Sequence, residues 1–224
     1  MLATPIPAVS QVHRAVVLGR SVQGRPIRAF EVGDPRSAKR VLVVGCIHGN
    51  EPAGVAIADA LARGRSVAGA DLWIVPDLNP DGVAADTRQN ADRVDLNRNF
   101  PWQWQPLGPP GTTFYAGRRA LSEPESRIAE RLVLRVRPQI SIWFHQHLDV
   151  VDDSGGHVRI ERRFASLVRM PLRRLTRYPG SATGWENHTF PGTTSFVVEL
   201  PAGRLSNERI GVFTRAIRSL AASR

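Results

Sequence analysis

Apolar residues in this chain fall into short continuous runs separated by polar stretches rich in glycine, proline, asparagine and aspartate. Val41–Ile47 is β-branched and unbroken, the pattern of a strand buried on both faces. Arg25–Val32 reads as a neighbouring strand, joined to it through the turn-rich Gly33-Asp34-Pro35, and Asp71–Val75, Ile140–Phe144 and Ser195–Leu200 read as three more. Between them the period changes. Gly54–Arg63 is an alanine-rich helix, and Ser122 with Glu125 forms a capping-box pattern ahead of a stripe of Ile128, Leu132 and Val136. Glu161–Val168 is helical, and Ser206 caps a last helix with Ile210, Phe213, Ile217 and Leu220 on one face. Strands alternating with helices predict a three-layer α/β single domain, its mixed, largely parallel central sheet flanked by helices, without internal repeats. Two segments break the periodicity, Asp77–Gly111 and Arg177–Gly192, and loops this long in a compact domain usually serve function.

Polar residues with chemical potential gather where such a sheet places a site. His48, Glu51, His145 and Glu199 all follow or end predicted strands, and open α/β sheets bind ligands beyond the carboxyl ends of their strands. In His48-Gly-Asn-Glu51 an imidazole and a carboxylate stand three positions apart after a strand. Two such ligands suit a catalytic zinc ion that takes a third from elsewhere and keeps one position open. A histidine in a turn and a glutamate opening the helix Pro52–Leu61 would account for the same four residues. In His145-Gln-His147 the two imidazoles are two apart, so either is positioned to reach a metal. Arg98, flanked by Asn97 and Asn99, either pins the long loop through backbone carbonyls or faces a ligand.

Composition narrows the choice modestly. With 224 residues, 42% of them hydrophobic and 22% charged, the chain can bury a substantial core. The formal charge of +10 is carried almost wholly by arginine, Lys39 being the lone lysine. That excess suits a small anionic substrate; without a dense basic run or a basic-aromatic platform, no nucleic-acid partner is expected. The single cysteine, Cys46, excludes an internal disulfide and reads as a small buried hydrophobe. No stretch is long enough to span a membrane. Met1–Ser10 has neither a basic start nor an apolar core, which leads to the expectation of a cytoplasmic protein.

Taken in order, Gly19-Arg-Ser-Val-Gln-Gly-Arg-Pro-Ile27, His48-Gly-Asn-Glu51, Asn79-Pro-Asp-Gly82, Asp95-Leu-Asn-Arg-Asn-Phe-Pro101, Ser122-Glu-Pro-Glu125, His145 and Ser195-Phe-Val-Val-Glu199 resemble the zinc carboxypeptidase superfamily over most of the chain. The compact length and the wording of the second and fourth motifs look closest to its murein peptide amidases. The resemblance implies a zinc carboxypeptidase-like fold and a Zn2+ ion held by His48, Glu51 and His145. It implies Glu199 as general base, taking a proton from the attacking water and passing it to the leaving amine, and Arg88 as the group that polarises the scissile carbonyl. Asn97 and Arg98 match the pair that holds a substrate's terminal carboxylate, and Tyr178 is the candidate for a tyrosine that the family supplies from its late loop. His147 is left to orient a ligand or line the cleft, and Ser181–Trp185 is the candidate specificity segment. The implied substrate is a small acidic peptide, with hydrolysis of the γ-D-glutamyl–diaminopimelate bond of murein peptides. Removal of ordinary C-terminal residues, deacylation of the aspartoacylase and succinylglutamate desuccinylase type, and a non-catalytic peptide-binding module are the competing readings.

Overall fold

The computed structural model describes residues 11–222, so the leader reading of Met1–Ser10 lies outside it. A mixed sheet organises these residues. β1 (Val12–Arg20) and β2 (Pro26–Gly33) form an antiparallel hairpin at one edge, and β2 runs antiparallel to β4 (Asp71–Val75). From there the sheet is parallel through β3 (Arg40–Val44) to the start of β5 (Ile140–Asp152), and β5 pairs with β7 (Thr194–Pro201) and the short β6 (Leu172–Arg173).

Side-chain alternation sorts the two faces. Val41, Val43, Ile142 and Phe144 point into one core and Leu42, Val44 and Trp143 into the other, as a period of two requires. The first core is covered by α1 (Ala53–Ala62), α4 (Val158–Val168) and α6 (Asn207–Ala222), which contribute Ile57, Leu61, Phe164, Phe213, Ile217 and Leu220. The second is covered by α3 (Pro124–Val136), with the expected stripe of Ile128, Leu132 and Val136, and by Trp185 of α5 (Ala182–Thr189). Helices on both faces of the sheet give the three layers that the alternation of elements predicts.

Three expectations are corrected and one strand is new. β2 and β3 are not neighbours: β4 lies between them, because the β3–α1–β4 crossover sets β4 parallel to β3 on the side facing β2. The edge strand β1 escapes notice in the sequence because its residues are mostly exposed and follow no clean alternation. Asp77–Gly111 holds a short helix, α2 (Pro80–Ala85), and a 3-10 turn, Leu96–Arg98, while Arg177–Gly192 holds α5; Asn79 before Pro80 and Ser181 cap the two helices through their side chains. Ser122 and Glu125 form no capping box. Glu123 is the N-cap, Pro124 opens α3, and the Glu125 carboxylate instead accepts from the backbone N–H of Val22 and from Asn90.

The register of β5 against β7 positions Glu199. Pairing runs forward from Ile140 opposite Thr194 to His145 opposite Glu199, becomes irregular at His147 and Leu148, then reverses, with Val150 opposite Glu199 and Val151 opposite Val198. Glu199 is therefore flanked by both arms of a strand that folds back across the sheet's carboxyl end.

Candidate active site

The turn after β3 is shaped by close backbone contact. A Cβ on Gly49 would lie 1.9 Å from the carbonyl carbon of Gly82, so the His48–Glu51 turn can rest on α2 only with glycine there. Asn79 ties the two together: its side-chain N–H groups donate to the carbonyls of Ile47 (3.1 Å) and Arg88 (3.4 Å), and its Oδ1 accepts from the N–H of Gly82 (3.0 Å). Asp81 at the start of the same helix clamps the β1–β2 turn, accepting from Ser21, the N–H of Gln23 and Arg25. The Asn79-Pro-Asp-Gly82 and Gly19–Ile27 motifs are thus supports for the turn that carries His48 and Glu51.

His48 Nδ1, Glu51 Oε2 and His145 Nδ1 form a nearly equilateral triangle. The sides are 3.0 Å from His48 to Glu51, 3.0 Å from His145 to Glu51 and 3.1 Å between the imidazoles, and all three residues are buried. Bonds of about 2.0–2.1 Å in a tetrahedral set would place ligand atoms roughly 3.3 Å apart, close to these separations. Asp95, wholly buried, accepts from His48 Nε2 at 2.9 Å, which leaves the Nδ1 lone pair facing the triangle. Three atoms presenting lone pairs to one another repel unless a cation lies among them, so the donor set fits zinc. Among the described residues this is the one cluster of histidine, cysteine, aspartate or glutamate ligand atoms arranged to hold an ion.

Electrostatics reinforces the arrangement. Burial opposes charge on Glu51, but the two imidazoles beside it outweigh that and hold its carboxyl well below the usual range. Asp95 is treated the same way: burial would raise its pKa, and His48, Arg88 and Arg98 lower it further than burial lifts it. Burial also works to lower the pKa of His48, but Asp95 and Glu51 raise it on balance.

Arg88 reaches both carboxylates, donating through Nε to Asp95 Oδ2 (3.0 Å) and through Nη1 to Glu51 Oε1 (2.8 Å), and it lines the cleft beside the triangle. Glu199 stands in register with His145 on the adjacent strand, so both side chains leave the same face. Its Oε2 is buried without a hydrogen-bond partner. Arg98 is buried too, donating to the carbonyl of Asn97 (2.8 Å), with its Nε unpaired and its guanidinium 4.0 Å from the Tyr178 ring centre. Tyr178 stacks on Phe114 at the mouth of the cleft. Asn97 accepts from the N–H of Ala182 (2.9 Å) and sets its amide 3.4 Å from His145 Nε2, joining α5 to the site. Gly180, with φ of +70°, lets the backbone of Arg98 pass where a Cβ would lie 2.2 Å from its carbonyl oxygen.

The expected ligands, base, arginines, Asn97 and Tyr178 therefore all border one cleft of about 280 Å³. His147 does not. It is exposed and lines a neighbouring depression that shares Glu51, Arg88 and Glu199 with the cleft. The two-apart rule fails for it because the β5 ladder loses regularity at that residue. Cys46 lies just beyond β3, fully buried and donating to the carbonyl of His48, and burial pushes its thiol pKa up. Asp95 is the buried partner of His48 that the sequence pattern does not single out. An aspartate opens the Asp95–Pro101 motif, but nothing in one dimension shows that it faces His48.

The model of the zinc carboxypeptidase family matches residues 7–151, more than half of the chain. The chain belongs to the zinc carboxypeptidase family. It is a zinc metallohydrolase by that membership. The murein peptide amidase A of Vibrio campbellii is 30% identical over 201 residues, covering 82% of this zinc carboxypeptidase-family chain and 77% of the relative. The Escherichia coli K12 protein of the same name is 28% identical over 180 residues, covering 75% of this chain and 74% of that one. The crystal structure of murein-tripeptide amidase from Escherichia coli O157 superposes with a TM-score of 0.78 at 25% identity, covering 100% of this chain and 99% of that one. Carboxypeptidase A from Helicoverpa armigera shares the fold, with a TM-score of 0.77 at 21% identity over 93% of this chain and 67% of that one. The family match ends before Tyr178 and Glu199, but the structural match takes in the segments that carry them.

Proposed function

We propose that this zinc metallohydrolase is an amidase of murein peptides, cleaving the bond between γ-D-glutamate and diaminopimelate. The observation that carries the reading is the unpartnered, buried Oε2 of Glu199 beside the triangle of His48, Glu51 and His145, in a chain similar to murein peptide amidases over about three quarters of its length or more. His48, Glu51 and His145 would hold the zinc, which when bound supplies a Lewis acid that activates water and polarises the scissile carbonyl.

The remaining chemistry belongs to the chain's own side chains. Glu199 accepts the proton of the attacking water at its free oxygen and returns it to the leaving amine. Arg88, permanently charged and held in place by Glu51 and Asp95, offers donors to the carbonyl oxygen as negative charge develops there. Arg98 takes the leaving residue's α-carboxylate, for which its buried, unpaired Nε is a waiting donor. Asn97 braces that end against α5, and Tyr178 closes over Arg98 from the mouth.

The test is to incubate zinc-loaded protein with murein tripeptide, a plain peptide with a free C-terminus and an acyl amino acid, and to identify products by mass spectrometry. Release of diaminopimelate from the tripeptide is the expected result. Preferential trimming of the plain peptide would make the protein an ordinary carboxypeptidase, and preferential release of the acyl group a deacylase. Glu199→Gln should keep its zinc and lose at least about a hundredfold in turnover; wild-type turnover by that variant would reject the assigned base.

A further inference from the structure

The cleft that holds the triangle is also lined by two opposite charges that the hydrolytic steps do not use. Asp152, at the end of β5, is buried, and its Oδ2 accepts from Arg177 Nη1 at 2.7 Å. The same oxygen accepts from Ser154 Oγ at 2.6 Å, and Oδ1 accepts from the N–H of Leu175 at 2.8 Å. Asp152 and Arg177 both line the cleft, together with Val197 and Thr183.

The fold-back of β5 brings this pair to the lining of the cleft. Val150 stands opposite Glu199 and Val151 opposite Val198, so Asp152 comes level with Val197, two residues before Glu199 on β7. Two residues along β7 and one strand across is about 8 Å from the general-base position. A long side chain on the leaving residue covers that distance, whereas alanine or aspartate falls short.

The two partners are not used up by each other. A carboxylate has about four acceptor positions, and the bonds to Asp152 fill three, leaving one on Oδ1. Arg177 is 39% exposed, and its Nε and Nη2 make no protein hydrogen bond among the described residues. A lone ammonium, as on lysine, would meet the arginine's like charge. A lone carboxylate, as on glutamate, would compete with Asp152 for Arg177. A side chain ending in an ammonium and a carboxylate together satisfies both.

We propose that Arg177 and Asp152 are specificity residues that recognise a zwitterionic end on the leaving residue's side chain, Arg177 taking the distal carboxylate and Asp152 the distal ammonium. This rests on the murein amidase reading, since it places the α-carboxylate on Arg98, and it assigns the second amino-acid end of diaminopimelate to named atoms.

The experiment is calorimetric binding of free diaminopimelate, lysine and 2-aminopimelate to the zinc-loaded protein. Diaminopimelate should bind at least about tenfold tighter than lysine or 2-aminopimelate, each of which lacks one distal charge. Arg177→Gln should lose at least about tenfold in affinity for diaminopimelate while its affinity for lysine stays level or rises. Arg177→Lys, which keeps the charge and loses the planar fork, should fall between. Equal binding of diaminopimelate and lysine by the wild type, or unchanged discrimination in an Arg177→Gln protein of wild-type melting temperature, would overturn the inference. If Arg177→Gln melts early, the Arg177→Lys series decides by the same criterion. Cleavage of murein tripeptide with no dependence on Arg177 sinks this inference alone. Arg177-dependent binding without tripeptide cleavage sinks the amidase reading alone.

Discussion

Asp95 ties His48 to Arg88 and to the 3-10 turn that carries Arg98. One carboxylate oxygen accepts from His48 Nε2 and from the N–H of Asn97, and the other accepts from Arg88. Such a partner fixes the imidazole's tautomer and orientation and raises its basicity, effects that typically contribute about 10- to 100-fold in metal affinity. Asp95→Asn keeps the shape but loses the charge, so zinc affinity measured by chelator competition should fall by about that factor with the fold intact. Undiminished affinity would show that Asp95 serves the loop rather than the metal. His48, Glu51, His145 and Glu199 were all legible in the sequence, because each sits at the end of an apolar run and strand ends are where α/β sheets place sites. The choice of His145 over His147 was not legible from spacing. It depends on where the β5 ladder becomes irregular, which the pairing with β7 determines.

Among the elements, α5 is the one whose role the sequence hides. Its Ala182 N–H is held by Asn97, its Thr183 lines the cleft, and its Glu186 is buried beneath, accepting from Trp143 (2.7 Å), Ser195 (3.0 Å) and Ser141 (2.5 Å). Burial raises the pKa of Glu186 to about 7, against the lowering effect of those three hydrogen bonds. Below the ordinary carboxylate pKa both folded and unfolded states hold the proton. Between about 4.5 and 7 the folded state keeps a proton that the unfolded chain releases, so this residue's contribution to stability falls as pH rises, by about 3 kcal/mol once pH exceeds 7. Glu186→Gln removes that titration. Urea unfolding should show a smaller loss of stability from pH 5 to pH 8 in the variant than in the wild type, and identical pH slopes would refute the assignment. A glycine-rich segment such as Arg177–Gly192 gives too little periodicity to announce a helix of eight residues, although Ser181 supplied the cap.

At the scale of the whole molecule, the three candidate ligands tie together parts of the sheet far apart in sequence: His48 and Glu51 follow β3, and His145 belongs to β5. An ion bound there acts on the folded state alone. At free zinc about a thousandfold above the dissociation constant it would stabilise the fold by about 4 kcal/mol, on the order of ten degrees in melting temperature for a domain this size. Scanning calorimetry with and without a chelator should show that drop and its reversal on adding zinc back; an unchanged melting temperature would argue against the three-ligand site. Among the described residues no helix is long and apolar enough to cross a membrane. The sequence alone determined the α/β class, the strands that end at the site and the residues able to bind metal and move protons, because these follow from local periodicity and from the chemistry of each side chain. Only the tertiary structure decided that β4 separates β2 from β3, that Asp95 faces His48, and that Asp152 and Arg177 line the same cleft. Those facts depend on crossover handedness, on glycine contacts such as Gly49 against Gly82, and on a strand that folds back on itself, none of which leaves a periodic trace in one dimension.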